Sequence, residues 1–223
     1  LMQATQTIPI VFVNAGDPVG AGFVSNLARP GGNVTGLGGL ASGLVIKQLE
    51  LLKQAVPRAQ RIGLAHNPDF RLHAIGLPDL QAAAQRLGVE LRQVTLRSPD
   101  ELGPAFATLT RERVDALLLL GQPFLLGAPA AVAALTQEHR LPTVSPFVGL
   151  TQAGVLMSYG NTFDDLLRRL PHYLDRILKG TPPGELPVEQ PSRFYLTINL
   201  KTARSLGLTL PQSLLLQATE VIE

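Results

Sequence analysis

Four short segments pair a polar side chain with an aromatic ring: Asn67-Pro68-Asp69-Phe70, Gln122-Pro123-Phe124, Ser145-Pro146-Phe147 and Ser158-Tyr159-Gly160-Asn161. Each follows a short apolar run that reads as a β-strand. The chain holds only 8 Phe and 3 Tyr, so aromatics gathered at these exits point to a pocket in which rings stack on a ligand while amides and hydroxyls orient it. Helix N-termini opening on the same crevice suit a carboxylate. A further exit, Asn14 to Pro18, closes the run IPIVFV, with Asp17 and Pro18 as candidate contacts.

Other chemistry is poorly supported. With no cysteine, the chain has no disulfide, no thiolate nucleophile and no Cys-ligated metal site. The histidines at 66, 73, 139 and 172 match no metal-binding spacing, and His66 alone ends a predicted strand. No serine lies in a GxSxG elbow, and the acidic residues are dispersed. Gly36-Leu37-Gly38-Gly39-Leu40-Ala41 fits a dinucleotide-binding loop, but Asn33 to Thr35 is a meagre preceding strand and no acidic residue follows at the right distance. A flexible connector is the better reading of this stretch. No catalytic residue, metal or cofactor is expected.

These exits need a scaffold, and the pattern supplies one. At 223 residues, 45% apolar and 16% charged, with a mean hydropathy of +0.19, the chain has the composition of a folded globule. Its net charge of +2 is spread along the sequence and gives no footing for nucleic acid. Strands are predicted at Arg61 to His66, Val89 to Leu96, Ala116 to Leu120 and Pro142 to Ser145, with helices at 42–56, 77–87, 100–113 and 128–139. Strand and helix alternating at this spacing make a doubly wound parallel sheet. Ile8 to Val13 reads as a buried strand, and Gly154 to Gly160 as another. A helix from Thr162 to Lys179 follows, with Asn161 as cap and a kink at Pro171. Pro182, Pro183, Pro187 and Pro191 read as a stiff linker at a hinge. A strand at Phe194 to Ile198, a short helix after Asn199 and a last helix from Pro211 end the chain.

GDPVGAG (16–22), LARPGGNVTGL (27–37), KQLELLKQAVP (47–57), LMSYGN (156–161), DRILKG (175–180), LPVEQPSRF (186–194) and INLKTARSLGL (198–208) together resemble the ABC-transporter substrate-binding proteins that include tryptophan-binding lipoproteins. The resemblance implies a periplasmic-binding-protein type I fold: two doubly wound α/β lobes that close by a hinge on a small molecule, an amino acid or aromatic acid, for delivery to a membrane permease. It places Asp17, Pro18, Asn67, Pro68, Gln122, Phe124, Ser158 and Tyr159 around the cleft between lobes, where the strand-exit pattern adds Phe147. It implies residues 1–38 and 152–187 for the first lobe and 39–151 and 188–223 for the second, and a periplasmic or exported protein. Family members carry a signal peptide and further β/α elements ahead of Ile8, so the first lobe is expected to be incomplete, and pairing of two copies would cover it. Pro78 and Pro171 interrupt helices that are normally unbroken, and His66 departs from the usual residue before Asn-Pro. Two rivals stay open: the effector domain of a transcriptional regulator, and a nucleotide-dependent enzyme using Gly36 to Ala41.

Overall fold

The computed structural model describes residues 1–39 and 42–223. They form two compact units, one of residues 1–41 and 161–194 and one of 42–160 and 195–223. The division differs from the expected one at 39–41, 152–160 and 188–194. Residues 157–160 form a strand hydrogen-bonded between neighbours of the larger unit, whereas Leu186 and Val188 bury their side chains in the smaller.

In the smaller unit, β1 (Ile10–Ala15) and β2 (Val34–Gly38) run parallel with Phe12 abreast of Gly36. Val11 and Val13 face one apolar cluster and Ile10 and Phe12 another, as strand alternation requires. The expected buried strand is half-buried along its whole length and begins two residues late, because Ile8 lies out in solvent. The proline-rich 182–191 stretch is no free linker. Thr35 Oγ1 donates to the Leu186 carbonyl, the Val188 amide to the Leu27 carbonyl and the Gly38 amide to the Glu189 carbonyl, so the segment lies along β2.

The larger unit starts with α1 (Ser42–Ala55) and continues through β3 (Arg61–His66), α2 (Arg71–Arg86), β4 (Glu90–Thr95), α3 (Leu102–Arg111), β5 (Ala116–Leu119), α4 (Pro129–Glu138), β6 (Thr143–Ser145), α5 (Val148–Ala153) and β7 (Met157–Gly160). In the smaller unit α6 (Phe163–Leu178) then covers β1 and β2 through Leu166, Leu170, Tyr173 and Ile177. Thr162, not Asn161, caps it, accepting from the Asp165 amide at 3.2 Å. Pro171 lies inside α6 and Pro78 inside α2, which starts six residues ahead of its expected position. Back in the larger unit come β8 (Tyr195–Asn199), α7 (Leu200–Ser205), α8 (Gln212–Leu215) and β9 (Glu220–Ile222).

The seven strands are ordered β4-β3-β5-β6-β7-β8-β9 and are parallel except where β8 meets β7. Along β5, Ala116 and Leu118 join the cluster under α1 and α2, while Leu117 and Leu119 join the opposite cluster under α3 and α4. Burial on both faces explains the unbroken apolar run in the sequence. From β3 the chain steps outward to β4, then crosses back over the other face to β5. Between β3 and β5 the winding reverses, and in open α/β sheets ligands bind outside the strand ends at such a point.

Candidate functional site

The strand ends at this reversal carry His66-Asn67 from β3 and Gly121-Gln122 just past β5. Ala65 is abreast of Leu119, so the two exits leave the sheet side by side. A side chain joins them. His73, in the first turn of α2, accepts the Asn67 amide at Nδ1 (3.1 Å) and faces the Gly121 carbonyl with Nε2 (3.2 Å). An amide must donate and a carbonyl must accept, so the ring is the neutral Nε2–H tautomer. Burial pushes its pKa down to about 4, against the hydrogen bond it donates to the Gly121 carbonyl.

The β3 exit is braced further. Asn67 Oδ1 accepts the Asp69 amide at 2.9 Å, Asp69 pairs with Arg97 at 2.7 Å, and Phe70 lays its ring against the edge of His73 at 5.0 Å. Pro68, beside them, is exposed.

Among the described residues, four buried polar atoms of the larger unit have no protein partner: Gln122 Nε2, His66 Nδ1, Gln48 Oε1 and Thr151 Oγ1. Gln122 is 3% exposed and extends from β5 as a free donor. Burial lowers the His66 pKa, opposed by a hydrogen bond with the Gln93 side chain. Gln48, inside α1, donates through Nε2 to the Tyr159 carbonyl at 2.7 Å, and its Oε1 is the unpaired acceptor. A buried donor left open just past a strand suits a ligand that offers an acceptor.

The remaining predicted contacts fall into three groups. Ser158 is buried in β7 between Ser145 and Thr197. Phe124 and Phe147 pack half-buried against the cluster under α3 and α4, and Tyr159 against the cluster under α1 and α2. Each ring is thus already engaged by the core. Asp17 and Pro18 belong to the smaller unit, where Asp17 Oδ1 accepts the Gly20 amide at 2.8 Å and the Pro18 carbonyl accepts the Phe23 amide. His73 and Gln48 were missed in the sequence. Gln48 did carry a signal, as a polar residue inside the apolar stripe of α1.

Residues 36–39 of the glycine stretch form neither a nucleotide loop nor a flexible connector. Gly36 and Gly38 are residues of β2, and the Gly38 and Gly39 amides donate to Glu189 and Ala15 carbonyls, so they are not available to a phosphate. Leu40 and Ala41 lie outside the described residues.

A family model described as ABC transporter substrate binding protein matches residues 1–222. The chain belongs to this family. Its members are substrate-binding proteins and not enzymes. Among relatives, a tyrosine-binding protein of Clostridioides difficile (strain R20291) is 27% identical over 206 residues, covering 92% of this chain; the chain spans 59% of that relative's length. A conserved domain protein from Vibrio cholerae O1 biovar El Tor superposes with a TM-score of 0.89 at 30% identity, covering 99% of this chain and 73% of the other. An ABC domain from Streptococcus pneumoniae solved in complex with L-Trp gives 0.90 at 27% identity, covering 100% and 74%. The ABC-family chain has the mixed α/β, periplasmic-binding-protein type I fold that its sequence implied.

Proposed function

We propose that this chain is the solute-binding component of an ABC importer, taking an amino acid, in particular an aromatic one, at the β3 and β5 exits of its larger unit. The observation that carries this reading is Gln122, a buried amide donor without a protein partner at the reversal point of the sheet. An α-carboxylate would satisfy it. The unpaired Gln48 Oε1 is an acceptor suited to an ammonium group, which favours an amino acid over a plain aromatic acid. The names of the relatives, one tyrosine-binding and one solved with L-Trp, support the same class.

Retention of the solute is assigned to hinge closure. The chain passes between units at 41/42, 160/161 and 194/195, and ligand contacts that favour a closed state would shift the population toward it. The partner that receives the solute is a membrane permease, and the protein works outside the cytoplasm.

Titration calorimetry tests this with L-tryptophan, L-tyrosine and indole-3-acetate. Heat from the amino acids, a weaker response to indole-3-acetate and loss of affinity in Gln122→Ala are expected. No binding of either amino acid would overturn the reading.

A further inference from the structure

His73 is a buried imidazole, 6% exposed, with both nitrogens engaged by the backbone of two different strand exits. On the β3 side it meets a loop already held by the Asn67 turn and the Asp69–Arg97 pair. On the β5 side it meets Gly121, a residue type whose backbone is soft, immediately before Gln122. The Gln122 Nε2 has no protein partner to anchor it, so the backbone at 121–122 sets its aim.

We infer that His73 is a positioning residue for solute binding: its neutral ring clamps the Asn67 amide to the Gly121 carbonyl and thereby fixes the direction of the Gln122 amide. This rests on the reading that Gln122 meets the solute. A proton added at Nδ1 would set donor against donor at the Asn67 amide and open the clamp. The charged or titratable groups on the elements around the ring are His66 at the end of β3, Asp69 with its partner Arg97, and Arg71 at the start of α2. His66 also disfavours charge on His73, and the 120–128 segment contributes none. The clamp is therefore closed at neutral pH.

Three substitutions separate the arms. His73→Gln keeps a donor for the Gly121 carbonyl, His73→Asn keeps an acceptor for the Asn67 amide, and His73→Leu keeps neither. With L-tryptophan as probe, His73→Leu should weaken binding about tenfold, the worth of one well-placed hydrogen bond, and His73→Asn and His73→Gln, each of which breaks one end of the clamp, should also fall below the parent. Nitrogen-15 spectra of the parent imidazole, recorded without ligand, should show the neutral Nε2–H form at pH 7. An Nδ1–H or protonated ring there, or parental affinity in His73→Leu, would overturn the clamp. If Gln122→Ala binds L-tryptophan as the parent does, the reading of Gln122 fails and the clamp loses its role. A clamp failure instead leaves Gln122→Ala impaired and His73→Leu normal.

Discussion

Gly36 in β2 lies so close to Phe12 in β1 that a Cβ on it would come well inside contact distance of the Phe12 carbonyl oxygen, with the Phe12 ring also in the way. The glycine is there for strand pairing. Gly36→Ala should push the strands apart and cost about 1–3 kcal/mol, the usual penalty for overfilling a tight site. Hydrogen exchange should locate the loss in residues 10–15 and 34–38, with the larger unit unaffected. Undiminished protection of these amides would contradict the assignment.

Gln122 sets stability against function. A buried donor without a partner costs about 1–3 kcal/mol relative to an apolar group of similar shape. Gln122→Met should therefore raise the melting temperature of the ligand-free protein, while L-tryptophan, which stabilises the parent, should no longer raise it further. A ligand-free variant that melts below the parent would show that the amide is satisfied within the fold.

The centre of the larger unit was legible because β3 and β5 are buried, so Arg61 to His66 and Ala116 to Leu120 appear as compact apolar runs, the second one residue longer than the strand. Gly36 to Gly38 misled because glycine demanded by a neighbouring strand looks the same as glycine in a flexible connector; the position of Phe12 distinguishes them. The prolines from 182 to 191 suggested a linker for a similar reason: an extended segment held against β2 by Thr35 and Leu27 has the local sequence of a free one. Asn67 and Gln122 were proposed from their place after strands, whereas Ser158 lies within β7. His73 was not proposed, since its importance lies in reaching Gly121, a residue 48 positions away, which no local pattern encodes.

Acid should destabilise the protein through His73. Its folded pKa, depressed to about 4, lies below the 6.5 of an unfolded imidazole. The unfolded chain therefore takes up a proton first. The associated stability is fully present above pH 6.5 and is lost as pH falls toward 4. The full excursion is about 3 kcal/mol at 1.36 kcal/mol per pKa unit. Urea unfolding of the parent and of His73→Gln between pH 7 and 4 checks this: the gap between them should shift in favour of the variant as acid is added. A gap independent of pH would mean that His73 does not titrate differently on unfolding.

Asn199 links β8, α7 and α5 from a buried position: its Oδ1 accepts the Thr202 amide at 3.1 Å, capping α7, and its Nδ2 donates to the Thr151 carbonyl at 3.0 Å. Asn199→Ala removes a cap and a buried hydrogen bond, about 2–4 kcal/mol together. Asn199→Asp keeps the cap acceptor but turns a carboxylate oxygen toward the Thr151 carbonyl, two acceptors face to face. Burial and that carbonyl should raise the folded pKa of the new Asp above its unfolded value, so its protonated form is the one the fold prefers. The stability of Asn199→Asp relative to the alanine variant should then be greatest below the unfolded carboxyl pKa and fall as pH rises through the folded one. Chemical denaturation across pH 4 to 8 reads this directly, and a difference flat in pH would mean that the Thr151 carbonyl does not depend on the Asn199 amide.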